Sequence, residues 1–123
     1  MRRAIIATTT VVLALGLAAP AQADDTGAAA HYTLGLAVGD QEAQREATLI
    51  CGETARGTHP HAERACELIA EAGSVEAVMV DPHGVCTLEY QPHRVTVSGE
   101  EEYTEVFGNK CRLTGAKGPI FDF

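Results

Sequence analysis

Four cysteines in a chain of 123 residues constrain what this sequence can fold into more than any other feature. They are Cys51, Cys66, Cys86 and Cys111. In an oxidising compartment four cysteines form two disulfides, with three possible pairings, whereas in a reducing one they stay free or bind metal. No two of them have the close spacing of a zinc knuckle. The compartment in which the chain folds therefore decides whether covalent bonds brace it.

The first 23 residues have the composition of a secretory signal peptide. The pair Arg2-Arg3 supplies positive charge, and a mainly apolar stretch covers residues 4–19. Ala21-Gln22-Ala23 has the small-x-small pattern that signal peptidase cleaves. We expect residues 1–23 to be removed and residues 24–123 to form one secreted, extracellular domain with disulfides.

The charge balance excludes two classes of function. The chain has 9 Lys+Arg and 17 Asp+Glu, and removing the leader takes away Arg2 and Arg3, so the net charge moves from −8 to −10. Such an acidic domain does not bind nucleic acid through its phosphates. After the leader no apolar run reaches the ~20 residues that a membrane span needs. Neither nucleic acid nor a membrane is an expected partner.

Alternation of apolar and polar residues predicts two β-hairpins. Residues 31–38 and 47–51 alternate on either side of a polar connector, and residues 94–98 and 103–107 do so on either side of a glycine turn. The tail at residues 119–123 ends on aromatic residues, so we expect it to dock as a further strand. Together these segments predict an antiparallel sheet of about five strands.

One amphipathic helix is predicted between the hairpins. Pro60 suits its first position, because that residue's missing N–H is not needed there. The helix is expected to end near Gly73. Residues 75–80 fit a short helical turn or a strand equally well, and Asp81-Pro82-His83-Gly84 is typical of a type I turn. The predicted apolar face consists of Ala62, Ala65, Cys66, Ile69 and Ala70.

This order of elements favours an α+β fold, with the sheet packed against one main and one short helix and two disulfides. Cys51 ends a predicted strand and Cys66 lies on the buried helix face, so they are expected to pair. Cys86 and Cys111 bracket the second hairpin and form the other expected pair. Each closure contributes about 3–3.5 kcal/mol in the chain-entropy description.

The segment after Cys86 has a large apolar residue, Leu88, between polar neighbours in a stretch braced at both ends. Pro92 fixes one end, because proline has a locked φ and keeps the residue before it extended. Leu88 is either a core residue of a short strand or an exposed contact residue, and its pattern alone favours the core. The segment consists of Cys86, Thr87, Leu88, Glu89, Tyr90, Gln91 and Pro92.

These residues resemble the reactive-site loop of the Streptomyces subtilisin inhibitor family of secreted serine-protease inhibitors. In that family the specificity residue follows a cysteine by two positions, and Glu-Tyr-x-Pro often comes next. Gly57-Thr58-His59-Pro60 with Ala65-Cys66 resembles the family's helix entry. Residues 106–111 resemble its Val-Phe-x-Asn-x-Cys, and Phe121-Asp122-Phe123 resembles its Phe-x-Phe terminus. The resemblance extends over residues 32–123.

The resemblance implies an inhibitor that binds a protease as a substrate does. Leu88 would fill the specificity pocket of a secreted subtilisin-like or chymotrypsin-like serine protease, with Leu88–Glu89 as the reactive bond. It also implies a homodimer formed through the sheet, and no cofactor. A trypsin-like pocket would gain nothing from leucine, since its buried carboxylate would stay unpaired.

Two other classes of function fit the sequence less well. His59 and His61 lie one residue apart and define the alternative, a secreted metal-binding protein, although two histidines alone make a weak site. An enzyme is not expected, because Ser74 and Ser98, the serines after the leader, lie in no nucleophile elbow. The acidic run at residues 100–102 is interpreted as a solvated hairpin turn.

Overall fold

The computed structural model describes residues 28–41 and 44–123. In these ranges the strands form one antiparallel sheet in the order β2-β1-β3-β4, so the predicted α+β fold is confirmed. The predicted leader, residues 1–23, lies outside the described residues. The elements are β1 (Ala30–Val38), β2 (Arg45–Cys51), α1 (Ala62–Ala72), β3 (His93–Gly99), β4 (Tyr103–Phe107), α2 (Lys110–Lys117) and a 3-10 helix (Gly118–Phe121).

The hydrophobic core lies on one face of the sheet, beneath the helices. Leu34, on the central strand β1, pairs with Ala47 of β2 and with Val97 of β3, and all three are buried. Because side chains alternate along a strand, the residues between them project to the other face. That opposite face carries the exposed or half-buried hydroxyl residues Thr33, Thr48, Thr96, Ser98 and Thr104.

Helix α1 begins two residues later than predicted. Pro60 is not its first residue, because a turn at His59 intervenes: the His61 N–H donates to His59 Nδ1 at 2.9 Å, and His61 is the N-cap. This contact satisfies an amide that a helix start leaves unpaired. The predicted end is correct, since Gly73 has φ 93° and its N–H donates to the Ile69 carbonyl. Glycine adopts that left-handed conformation without steric penalty.

The buried face of α1 also differs in part from the prediction. Ala65, Leu68 and Ile69 are buried, whereas Ala70 is exposed. Successive side chains of a helix point about 100° apart around its axis, so Ala70 lies away from the sheet while Ile69 faces it. Leu68 takes its place in the core, because it lies three residues after Ala65 on the same face.

The chain end is the clearest departure from the predicted strands. Residues 118–121 form the 3-10 helix, with Pro119 at its start, so the sheet has four strands instead of about five. Proline has no N–H for a strand ladder, but it fits a helical first turn. Ile120 and Phe121 are consecutive and both buried, which a strand with one buried face does not allow. Residues 75–77 form a turn in which the Val78 N–H donates to the Val75 carbonyl, so of the two alternatives for residues 75–80 the short turn is correct and the strand is wrong.

Two disulfides brace this fold at opposite ends. Cys51–Cys66 joins β2 to α1 with the Cα atoms 5.4 Å apart, and Cys86–Cys111 joins the loop before β3 to α2 at 5.8 Å. Both separations are ordinary for the bond. Among the described residues, no helix combines the length and apolar character needed to cross a bilayer.

Candidate functional site

A loop at residues 85–92 has no regular secondary structure and presents large apolar side chains to solvent. Leu88 is 93% exposed, Val85 96% and Tyr90 76%. The interpretation of Leu88 as a core residue is therefore wrong. Clustered exposed apolar side chains mark an interaction surface more often than isolated ones do. We call residues 85–92 the exposed loop.

The exposed loop is fixed to the fold at both ends. Cys86 is bonded to Cys111 in the first turn of α2. At the other end, the Gln91 N–H donates to the Gly108 carbonyl at 2.8 Å. His93 Nδ1 lies 2.7 Å from the Gln91 carbonyl, and it must be the donor because a carbonyl can only accept. These contacts hold the backbone while the side chains remain exposed.

Asn109 braces the middle of the exposed loop from below. Its Nδ2 donates to the Thr87 carbonyl at 3.2 Å and to the Glu89 carbonyl at 2.9 Å. Its Oδ1 accepts from the Arg112 N–H at 2.9 Å, which caps α2. One buried side chain thus ties the two carbonyls that flank Leu88 to a helix terminus. A loop held in this way is ordered before any partner arrives.

The chain that leads into the exposed loop is also anchored. The Val80 N–H donates to the Ala116 carbonyl at 3.0 Å, and the Asp81 N–H donates to the Gly115 carbonyl at 2.7 Å. The predicted turn follows, with the Gly84 N–H 3.4 Å from the Asp81 carbonyl. Both sides of the exposed loop therefore rest on α2 and the residues just before it.

Two charged side chains, Lys117 and Glu101, hold the turn at residues 75–78 through hydrogen bonds to its backbone. Lys117 Nζ donates to the carbonyls of Val75, Glu76 and Val78 at 2.7–3.0 Å. The Glu101 carboxylate accepts the N–H groups of Val75 and Glu76. Burial lowers the pKa of Lys117. The acidic run is thus not merely a solvated turn, because Glu101 holds the backbone of residues 75 and 76.

A groove of about 970 Å³ runs beside the base of the exposed loop. Met79, Val85 and Val106 are among its lining residues, and they are 57%, 96% and 55% exposed. The lining also includes Cys86 and several charged side chains, so the groove has mixed polarity.

Comparison with known proteins identifies the family. The sequence profile described as subtilisin inhibitor-like matches residues 8–109. The chain belongs to the subtilisin inhibitor-like family. The Subtilase-type protease inhibitor of Streptomyces fradiae is 35% identical over 133 positions, which cover 97% of this chain and 92% of that protein. Subtilisin inhibitor-like protein 3 of Streptomyces coelicolor is 40% identical over 85 residues, covering 64% of this chain and 79% of that protein.

The fold is shared with a solved member of this structural group. Streptomyces caespitosus sermetstatin, determined in complex with Bacillus licheniformis subtilisin, matches with a TM-score of 0.60 and 24% identity. The match covers 78% of this chain and all of the sermetstatin chain. Relatives in the subtilisin inhibitor-like family are protease inhibitors, so this chain is not an enzyme, as the sequence predicts.

The imidazole of His59 has a structural role that leaves no ring nitrogen available to bind a metal. Its Nδ1 accepts the His61 N–H, and its Nε2 donates to the Ile120 carbonyl at 2.8 Å. His61 instead lies 3.5 Å from Asp122. Both ring nitrogens of His59 have backbone partners, so no lone pair remains for the alternative metal site. No group of three metal-ligating side chains occurs in the part of the chain that the structure describes.

We expect the stability of the fold to fall in mild acid because of His59. Burial lowers its pKa below the ordinary value of 6.5, and a second proton would sit on Nδ1 facing the His61 N–H. The unfolded chain therefore takes up the proton first. The stabilising contribution is complete above pH 6.5 and is lost as the pH falls below it, with a slope of up to about 1.4 kcal/mol per pH unit.

Urea unfolding of the wild-type protein and of His59→Gln between pH 8 and pH 5 measures this effect. The wild-type free energy of unfolding should fall more steeply with acid than that of the variant, because the other histidines titrate in both proteins. Parallel curves would show that folding does not change the pKa of His59.

The sequence did not single out three supporting residues, Asn109, Glu101 and Lys117. Asn109 occurs in the motif at residues 106–111, but its bonds to the exposed loop span about 20 positions of chain. Lys117 contacts carbonyls about 40 residues away. Such contacts follow from tertiary packing and leave no local pattern in the sequence.

Proposed function

We propose that the chain is a secreted, substrate-like inhibitor of subtilisin-like or chymotrypsin-like serine endopeptidases, with Leu88–Glu89 as its reactive bond. One observation carries the proposal: Leu88 is 93% exposed while Asn109 fixes the carbonyls on both sides of it. A surface leucine held so rigidly has no role in the core of the fold. It is suited to insertion into a partner's pocket.

Binding proceeds by addition of a strand. The exposed loop lies extended in the protease cleft and contributes backbone hydrogen bonds, as peptides do in β-augmentation. Leu88 enters the specificity pocket, where burial of its side chain contributes about 1.5–3 kcal/mol. Val85 and Tyr90, exposed on the same loop, add apolar area on either side.

Rigidity explains why such a complex inhibits instead of turning over. If the catalytic serine attacks the Leu88 carbonyl, the new amine of Glu89 stays close to the acyl carbon. The disulfide Cys86–Cys111 holds one side of the bond, and the Gln91–Gly108 hydrogen bond holds the other. The amine re-forms the bond faster than water can reach it, and the ordered loop also reduces the entropy lost on binding.

The relatives support the serine-protease partner. The Streptomyces fradiae protein is named a subtilase-type protease inhibitor, and sermetstatin was determined bound to subtilisin. The disulfide-anchored exposed loop described here gives this chain a means of binding an enzyme of the same class.

Titration of the purified protein against subtilisin, chymotrypsin and trypsin, side by side, tests this function. We expect stoichiometric inhibition of subtilisin and chymotrypsin and none of trypsin, because leucine leaves the carboxylate of a trypsin pocket unpaired. Failure to inhibit subtilisin and chymotrypsin would contradict the proposal.

We also propose that residues 1–23 are removed on export and that the secreted protein begins at Asp24. The charged start, the apolar stretch and Ala21-Gln22-Ala23 support this boundary. Amino-terminal sequencing of the exported protein should start within a few residues of Asp24. A retained Met1 would exclude cleavage.

We propose further that two copies associate through the open face of the sheet. That face presents hydroxyl residues, with Val106 55% exposed at its edge. Small side chains allow two sheets to approach closely. Sedimentation at micromolar concentration should give a dimer, and Thr96→Arg, which adds a large charged side chain to this face, should shift it to a monomer. A wild-type protein that sediments as a ~10 kDa species would contradict the dimer, since ~100 residues remain after cleavage.

A further inference from the structure

We propose that the protein binds a small oxyanion in a cavity of about 80 Å³ at one end of the sheet–helix interface, where three basic side chains converge. Arg45 of β2, His93 of β3 and Lys110 of α2 line this cavity, together with the hydroxyl-bearing Thr114. The cavity is separate from the exposed tip at Leu88. The proposal does not depend on inhibition of a protease.

The register of the sheet explains why a basic side chain lies here. Arg45 pairs directly with Leu36, which is 5% exposed on the helix-covered face. Side chains of directly paired residues project to the same face of an antiparallel sheet. His93, also 5% exposed, lies two residues before Val95 and shares the same face. Two strands on either side of β1 thus bring nitrogen-bearing side chains to a face that is otherwise apolar.

Helix α2 closes the cavity with two more polar groups. Lys110 and Thr114 lie four residues apart, on one side of the helix. The ion pairs in the described part of the chain are His61–Asp122 and Arg64–Glu67. Among the described residues, neither Lys110 nor Arg45 has a carboxylate within ion-pair distance, although Asp122 lines the same cavity.

His93 lines the cavity with its imidazole ring. Its Nδ1–H donates to the Gln91 carbonyl, which fixes the orientation of the ring. The charged groups around the cavity are Arg45, Lys110 and Asp122. Asp122 opposes an anion, but it lies 3.5 Å from His61 Nε2 and is partly engaged there.

Size and charge together select the class of ligand. A cavity of about 80 Å³ corresponds to roughly two or three water molecules, which is too small for a nucleotide or a peptide. A metal cation would face two fixed positive charges. The planar fork of arginine suits oxygen anions, which form charge-assisted hydrogen bonds with it. The matching ligands are sulfate, inorganic phosphate and a small carboxylate.

Nuclear magnetic resonance titration of the ¹⁵N-labelled secreted protein tests this site. Sodium sulfate, phosphate and acetate are added in separate arms, with chloride replaced so that ionic strength stays constant. Saturable shifts are expected at Arg45, His93 and Lys110 with sulfate and phosphate. The acetate arm shows whether carboxylates belong to the same class of ligand.

Matched variants decide whether the cavity is the site. Arg45→Gln should weaken sulfate binding about tenfold, since one charge-assisted contact is lost. Arg94→Gln, at an exposed arginine outside the lining, should leave the affinity unchanged, and Asp122→Asn should strengthen it several-fold. Preserved spectra confirm that each variant is folded. Absence of saturable shifts in the sulfate and phosphate arms, or equal effects of Arg45→Gln and Arg94→Gln, would overturn the proposal.

Discussion

Leu88→Lys is expected to give the protein activity against trypsin that the wild type lacks. A lysine at this position reaches the buried carboxylate of a trypsin-like pocket and forms a charge-assisted contact, so trypsin inhibition should improve by about 100-fold or more. In the apolar pocket of chymotrypsin the ammonium has no partner, and desolvation should weaken inhibition by a similar factor. Because Leu88 is 93% exposed, the free energy of unfolding should change by less than about 0.5 kcal/mol.

Val85→Lys is the matched control for this exchange. Val85 is 96% exposed on the same loop, three residues before Leu88. A lysine there adds the same charge but does not enter the specificity pocket, so trypsin inhibition should not appear. Inhibition constants against trypsin, chymotrypsin and subtilisin, with one melting curve for each protein, separate the outcomes. If Leu88→Lys does not inhibit trypsin, or if Val85→Lys inhibits it equally, Leu88–Glu89 is not the reactive bond.

The sequence predicts the hairpins and α1 because their information is local. Alternation along residues 31–38 and 94–98 reports which face of a strand is buried, and a glycine in a left-handed conformation ends α1 where its position suggests. The prediction of a strand at the chain end is wrong because it also relied on the local pattern alone. Ile120-Phe121 looks like the start of a buried strand, but Pro119 cannot donate to a ladder and the segment turns into a 3-10 helix.

The candidate site likewise has features that the sequence shows and features that only the folded structure shows. A cysteine, a proline and an apolar residue between them are visible in the sequence, but whether Leu88 points inward or outward is not, since its pattern is the same in both cases. Glu101 is visible as one acid in a run of three, yet its carboxylate accepts N–H groups from a turn about 25 residues away. Support by distant side chains is a property of the assembled fold.

Asn109→Asp should convert a durable inhibitor into one that the protease slowly cleaves. The substitution keeps an oxygen to cap α2, so the helix terminus stays satisfied. It removes the donor that holds the carbonyls of Thr87 and Glu89 and places a negative charge beside them. Each lost hydrogen bond contributes about 1 kcal/mol to the order of the loop. Hydrolysis of the Leu88–Glu89 bond within the complex should therefore accelerate by about tenfold or more.

Asn109→Ser separates the loss of the donor from the added charge. Serine also caps a helix, but its short side chain cannot bridge to both loop carbonyls. If positioning is the role of Asn109, both variants should unfold within about 1 kcal/mol of wild type and both should be cleaved faster, with the aspartate faster still because its charge repels the carbonyls. Mass spectrometry of the inhibitor during incubation with subtilisin measures the cleavage, and urea unfolding measures the cap. Two folded variants that resist cleavage as long as the wild type would show that the disulfide Cys86–Cys111 is sufficient to hold the loop, and that Asn109 serves only to cap α2.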